Sequence, residues 1–246
     1  GGALPEGGLV LDSAGNIYGT TTFVAGKEGG IAFELSPDEQ RKIWSLKVLH
    51  EFCKRANCTD GQVPSAPSYQ GAAAGLPYDG VSPLYGTTQY GGKNRSGIAF
   101  QIAPPAQGSQ WTYTILHHFC ARACTDGGHP SSGLVVDSAG NLYGTTYGTL
   151  FELKPGKSRW KVTTLHGFCL GDDGCNAMGS LLMDASGTLY GVTENGGNQD
   201  DTGETAGVVY KLTLGDTPQY SLLHKFCSKI ECPDGEWPVA GLAMIS

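Results

Sequence analysis

Leu49-His50-Glu51-Phe52-Cys53 recurs as Leu116-His117-His118-Phe119-Cys120, Leu165-His166-Gly167-Phe168-Cys169 and Leu223-His224-Lys225-Phe226-Cys227. A second cysteine follows each copy, at Cys58, Cys124, Cys175 and Cys232. An Asp-Gly pair stands nearby, at Asp60-Gly61, Asp126-Gly127, Asp173-Gly174 and Asp234-Gly235. Self-similarity at a spacing of tens of residues means stacked supersecondary units, and it sets the architecture before local propensity is considered. It also sorts the residues. A side chain present in every unit belongs to the frame, whereas one present once is a better functional candidate.

Working outward, each unit divides into four short strands. In the first, Gly8-Leu9-Val10-Leu11-Asp12, a Ser13-Ala14-Gly15 turn and Asn16-Ile17-Tyr18-Gly19-Thr20-Thr21 read as a tight hairpin. Ile31-Ala32-Phe33-Glu34-Leu35 supplies a third strand. Trp44 to Phe52 supplies a fourth, with Trp44, Leu46, Val48, His50 and Phe52 on one face at period 2. The order repeats around Tyr85-Gly86, Tyr143-Gly144 and Tyr190-Gly191. No segment carries a helical period. The expected fold is therefore all-β, a β-propeller of four-stranded antiparallel blades, with a β-sandwich as the runner-up. The chain reads as a single propeller domain with units at about 1–59, 60–125, 126–172 and 173–233. Residues 1–13 align with 234–246 without a gap, so the chain begins a fifth unit and holds two copies of the first strand. One closed ring has room for one copy. The spare could pair within a longer array, add to the ring, or enter a neighbouring molecule.

Unit length varies, at 66 residues from Asp60 to Asp126, 47 to Asp173 and 61 to Asp234. The variation lies in an insertion at 65–72 and in the loop between the second and third strands. Variable loops on a constant frame are where binding specificity resides.

Charged residues make up 16% of the chain, the net charge is -7 and there is no basic run. This excludes the electrostatic footprint of nucleic-acid binding and of attraction to anionic membranes. No apolar stretch reaches the roughly 20 residues of a membrane span. No signal peptide is visible and the chain starts at Gly1, which reads as a mature or trimmed form. The eight cysteines form four close pairs, Cys53-Cys58, Cys120-Cys124, Cys169-Cys175 and Cys227-Cys232. They read as local disulfides made in an oxidising compartment. Metal ligation is the alternative, but the spacings are irregular for a zinc ribbon and the pairs are far apart.

The pattern Gly133-Leu134-Val135-Val136-Asp137-Ser138-Ala139-Gly140-Asn141-Leu142-Tyr143-Gly144-Thr145-Thr146 leads to Phe151, Leu165-His166 and Asp173-Gly174. It resembles the bacterial GloVer tandem repeat of surface-anchored proteins, and the resemblance covers nearly the whole chain. It implies an extracellular or cell-surface β-repeat protein and carries no activity with it. The cysteine pairs depart from the usual repeat. So do Ser82 and Pro83, which stand where the first and third units have the turn glycine and asparagine.

Among candidate site residues, His50, His117, His166 and His224 could hold zinc or nickel if gathered at an axis. On an outer strand they instead hydrogen-bond a turn. Tyr18, Tyr85, Tyr143 and Tyr190 are candidate ligand-stacking rings or inter-blade packing. Asp12, Asp79, Asp137 and Asp184 cap the hairpin turn or, at an axis, hold a cation. Asp200, Asp201 and Glu204 lie in an oxygen-rich loop of the kind calcium favours, but without EF-hand spacing. No other cofactor is expected. His129 and Trp237 occur once each in linkers, and Trp237 is a candidate interface anchor. Asn57 and Asn94 open glycosylation sequons. No catalytic motif is found, so an enzyme is not expected. The expected function is a secreted or cell-surface structural and interaction protein that self-associates through its duplicated strand. A carbohydrate-binding module or a polysaccharide-active enzyme is the alternative. The expected partners are other copies, extracellular proteins or glycans.

Overall fold

The computed structural model describes every residue except 1, 6, 25, 41, 122, 198–204, 230 and 244–246. Each unit folds as one antiparallel meander. The first contains β1 (Gly2–Ala3), β2 (Val10–Leu11), β3 (Ile17–Val24), β4 (Lys27–Pro37) and β5 (Trp44–Glu51), with β1 and β2 both paired to β3. The second contains β6 (Gln62–Pro64), β7 (Leu84–Tyr90), β8 (Ile98–Ala103) and β9 (Thr112–His118). The third is β10 (Val135–Val136), β11 (Leu142–Thr145), β12 (Thr149–Lys154) and β13 (Lys161–Gly167). The fourth is β14 (Leu182–Met183), β15 (Leu189–Thr193), β16 (Val208–Thr213) and β17 (Gln219–Lys225). Sheet order follows chain order in the second, third and fourth blades, and in the first β1 and β2 share one edge of β3. Among the described residues the helical elements are two single 3-10 turns, at Ala56–Cys58 and Ala72–Ala74.

Two recurring residues explain how a blade is built. The glycine of each Tyr-Gly pairs directly with the aromatic residue of the third strand: Gly19 with Phe33, Gly86 with Phe100, Gly144 with Phe151 and Gly191 with Tyr210. A Cβ on any of these glycines would stand 2.6 to 2.7 Å from a ring carbon, so the aromatic side chain occupies the space that glycine leaves open. The leucine of Leu-His-x-Phe-Cys is a β-bulge. Ala32 and Phe33 pair with His50 and Val48, leaving Leu49 over. Leu116, Leu165 and Leu223 are left over in the same way.

The bulge corrects the period-2 expectation for the fourth strand. An extra residue reverses the facing of everything beyond it. Trp111 and Tyr113, before the bulge, pack back onto Tyr18 and His50 of the first blade. Phe52, after its bulge, packs forward onto Phe100 and Tyr113 of the second. Trp44, Leu46 and Val48 thus do not share a face with His50 and Phe52.

Because a blade is a single sheet, its apolar side chains are covered only by neighbouring blades. Ala32, Phe52, Val10 and Tyr18 of the first blade meet Tyr78, Leu84, Ile98, Phe100 and Ile102 of the second. Ala99, Leu116 and Phe119 of the second meet Leu134, Val136, Leu142 and Phe151 of the third. Tyr143, Leu150 and Phe168 of the third meet Leu181, Leu189, Tyr210 and Leu212 of the fourth. Equivalent stretches of all four units converge on one cavity of about 340 Å³, lined by Gly7, Ser65, Ser132 and Ser180. This is the radial arrangement of a propeller.

One joint is missing. Among the described residues, no apolar cluster connects the fourth blade with the first. Leu9 and Leu11 are 62% and 58% exposed, whereas Leu134 and Val136, at the same repeat positions, are 3% and 2% exposed. The first blade therefore presents an uncovered face, and the ring expected from the sequence is an open arc. Both copies of the duplicated strand are accommodated. Gly8 leads into β2, while Ala240 and Gly241 lie beside Gly179 and Ser180.

Candidate functional site

Every blade ends in the same corner. The four disulfides are Cys53–Cys58, Cys120–Cys124, Cys169–Cys175 and Cys227–Cys232, which rules out the metal reading of these sulfurs. The motif histidine faces the aspartate of Asp-Gly. His117 Nε2 donates to Asp126 at 2.7 Å, His166 to Asp173 at 2.9 Å and His224 to Asp234 at 3.0 Å. The acceptor-only carboxylate fixes Nε2 as the donor. The same carboxylates accept backbone N–H groups inside the cysteine loop, from Cys120, Leu170 and Ser228, and Asp60 accepts those of Lys54 and Arg55. His117, His166 and His224 thus hold the turn, as the outer-strand reading expects.

The first corner differs. His50 Nε2 stands 4.0 Å from Asp60 and makes no hydrogen bond. Its ring stacks on Tyr113 at 3.6 Å and meets Phe52 edge-on. Burial pushes its pKa down to about 4, overriding the attraction of Asp60. The third corner differs in chain order, because Cys175 lies beyond Asp173-Gly174 rather than before it. It is also the one cysteine of the eight without a positive φ.

The hairpin aspartates cap their turns. Asp12 and Asp137 each accept two backbone N–H groups and an asparagine amide, Asp184 those of Ser186 and Thr188, and Asp79 those of Val81 and Ser82. The hydroxyls of Tyr18, Tyr143 and Tyr190 donate to them at 3.0 to 3.1 Å. Tyr18 and Tyr143 are buried against the neighbouring blade, the inter-blade packing weighed for them in the sequence, and not available as ligand-stacking rings. Tyr85 and Tyr190 are half-buried. The four aspartates do not converge. Among the described residues no group of three or more His, Cys, Asp or Glu is placed to hold a metal. Asp200, Asp201 and Glu204 lie outside the described residues.

The single-copy residues gather on the linker side. Val63, His129, Asn176 and Trp237 hold one repeat position, each in the left-handed region at φ 52 to 59°. His129 touches Tyr90 at 5.3 Å and Tyr147 at 5.5 Å, and Gln89 donates to the Tyr147 hydroxyl. Gln89 also lines the central cavity, as does Ser131, whose buried hydroxyl has no partner. This cluster of rings, linked to the cavity through Gln89, was not singled out from the sequence. Tyr147 lies in the short loop of the third unit, whereas Tyr90 ends β7. Trp237 is 42% exposed, with its indole N–H donating to Thr205 O. Asn57 is exposed, whereas the Asn94 amide donates to Phe119 O.

A family model described as the Gloeobacter/Verrucomicrobia repeat matches residues 5–246. No curated protein matches the chain.

Proposed function

Because the chain belongs to the Gloeobacter/Verrucomicrobia repeat family, we propose that it is a disulfide-stabilised repeat scaffold acting outside the reducing cytoplasm, secreted or at the cell surface. It presents loops and blade faces to extracellular partners and has no catalytic activity of its own. The carrying observation is the corner at the end of every blade, where a disulfide and the aspartate of Asp-Gly hold one turn and, in three of the four, the repeated histidine donates to that aspartate. Self-association is part of this reading, because the chain holds two copies of one strand. The test is alkylation of the protein from its native cells before and after reduction, combined with protease shaving of intact cells. The expected result is eight cysteines labelled only after reduction, in protein that the external protease removes. Eight free thiols in protein protected by the cell envelope would refute the reading.

A second reading is favoured by the cluster of Tyr90, His129 and Tyr147, which Gln89 links to the central cavity. Aromatic rings near a buried hydroxyl without a partner, that of Ser131, suit the stacking and hydrogen bonding a glycan needs. A glycan array checks it: hits lost on Tyr147→Ala support it, and an array without hits counts against it.

A further inference from the structure

The two uncovered ends of the arc are the two halves of one joint. On the first blade the uncovered side carries Leu9, Leu11, Trp44, Leu46 and Val48, each 42 to 62% exposed. In the later blades the same repeat positions face the preceding blade. Trp111 packs on Tyr18, Trp160 on Tyr85, and Tyr113 and Tyr220 stack on His50 and His166. On the fourth blade the side that would face a following blade is open too. Leu223 is 50% exposed where Leu116 is 9%, and the His224 side chain is 44% exposed where the other three histidines are 16 to 20%.

We propose that the leading face of the first blade docks on the trailing face of the fourth blade of a second copy of this chain. This rests on the scaffold reading above and names its partner. The argument is continuity: the interface already exists three times inside the molecule, and one half of it stands exposed on the first blade and the other on the fourth. The docking places Trp44 on Tyr190 and Leu46 against the His224 ring, as Trp111 sits on Tyr18 and Tyr113 on His50. The joint is heterologous, so it propagates until it closes into a ring or grows as a filament. It also gives the duplicated strand a role. Residues 1–10 of one copy and 234–243 of the next are equivalent and claim one place, so one segment yields to the other on docking.

Sedimentation velocity of the full chain over a range of concentrations tests this, with Leu46→Glu on the leading face and Leu223→Glu on the trailing face. Both leucines are at least half exposed, so unchanged far-UV circular dichroism should verify that each variant folds. The wild type is expected to assemble, and each variant alone to lose at least about tenfold in association constant. An equimolar mixture of the two variants is expected to form a two-copy species and nothing larger, because one intact pair of faces remains. A wild type that stays a single copy at all concentrations overturns the proposal, as does a mixture that fails to pair. Neither failure touches the scaffold reading, whose thiol and shaving results are measured independently.

Discussion

Leu9 and Leu134 occupy the same position of the repeat, and their truncation to alanine separates an open arc from a closed ring. Leu134 is 3% exposed in the joint between the second and third blades, with Cδ2 only 2.8 Å from where a Cβ on Gly144 would stand. Backbone that close on a paired strand cannot collapse into the space a truncation leaves. Leu134→Ala should therefore cost about 3 kcal/mol, within the usual range for buried leucines. Leu9 is 62% exposed and keeps little more than a third of the burial, so Leu9→Ala should cost about 1 kcal/mol or less. Urea unfolding followed by far-UV circular dichroism measures both, at a protein concentration where the chain sediments as a single copy. With m unchanged, the difference appears as a shift in midpoint. If the two costs agree within about 0.5 kcal/mol, the fourth blade must cover the first, and the open joint is wrong.

Three further outcomes can be checked. Gly144→Ala drives a methyl group into the Phe151 ring and Leu134 and should lower stability by roughly 1–3 kcal/mol in the same titration. Replacing Cys120 and Cys124 together by serine opens a loop of a few residues and should cost about 2 kcal/mol, read as a lower melting temperature under non-reducing conditions. Folded His50 has a pKa of about 4, below its unfolded value of about 6.5. As pH falls the unfolded chain takes up the proton first, so the stability this histidine contributes is present above about pH 6.5 and is lost toward pH 4. After discounting for solvent screening at a partly exposed ring, the loss is roughly 1–2 kcal/mol. His50→Gln should remove that part of the pH dependence, and an identical pH profile for the variant would refute it.

The unit and its four strands were legible because backbone pairing and turn chemistry are local. Asp12 caps its turn through residues two and four positions on, and such spacing is written directly in the chain. The bulge at Leu49 was not legible. Leucine is apolar whichever way it faces, so an inserted residue leaves the alternation looking intact. The partner of each histidine was half visible: His117 and Asp126 both stood out as repeated, but only the fold brings their side chains to 2.7 Å. The open joint could not be read at all, because exposure belongs to the neighbour and not to the residue. Leu9 and Leu134 are the same letter in the same motif. The meeting of Tyr90, His129 and Tyr147 was hidden for a related reason, since residues from separate units become adjacent only where a linker crosses toward the axis.

The repetition of a single joint bears on how such a gene can change. Duplicating or deleting one segment between successive Asp-Gly pairs creates no unfamiliar contact, because the new neighbours meet through side chains already matched to each other. Copy number can therefore drift without any compensating substitution in the interior. What limits it is geometric: the turn that each blade makes about the axis must add up to a full circle, or leave a gap for something else to fill.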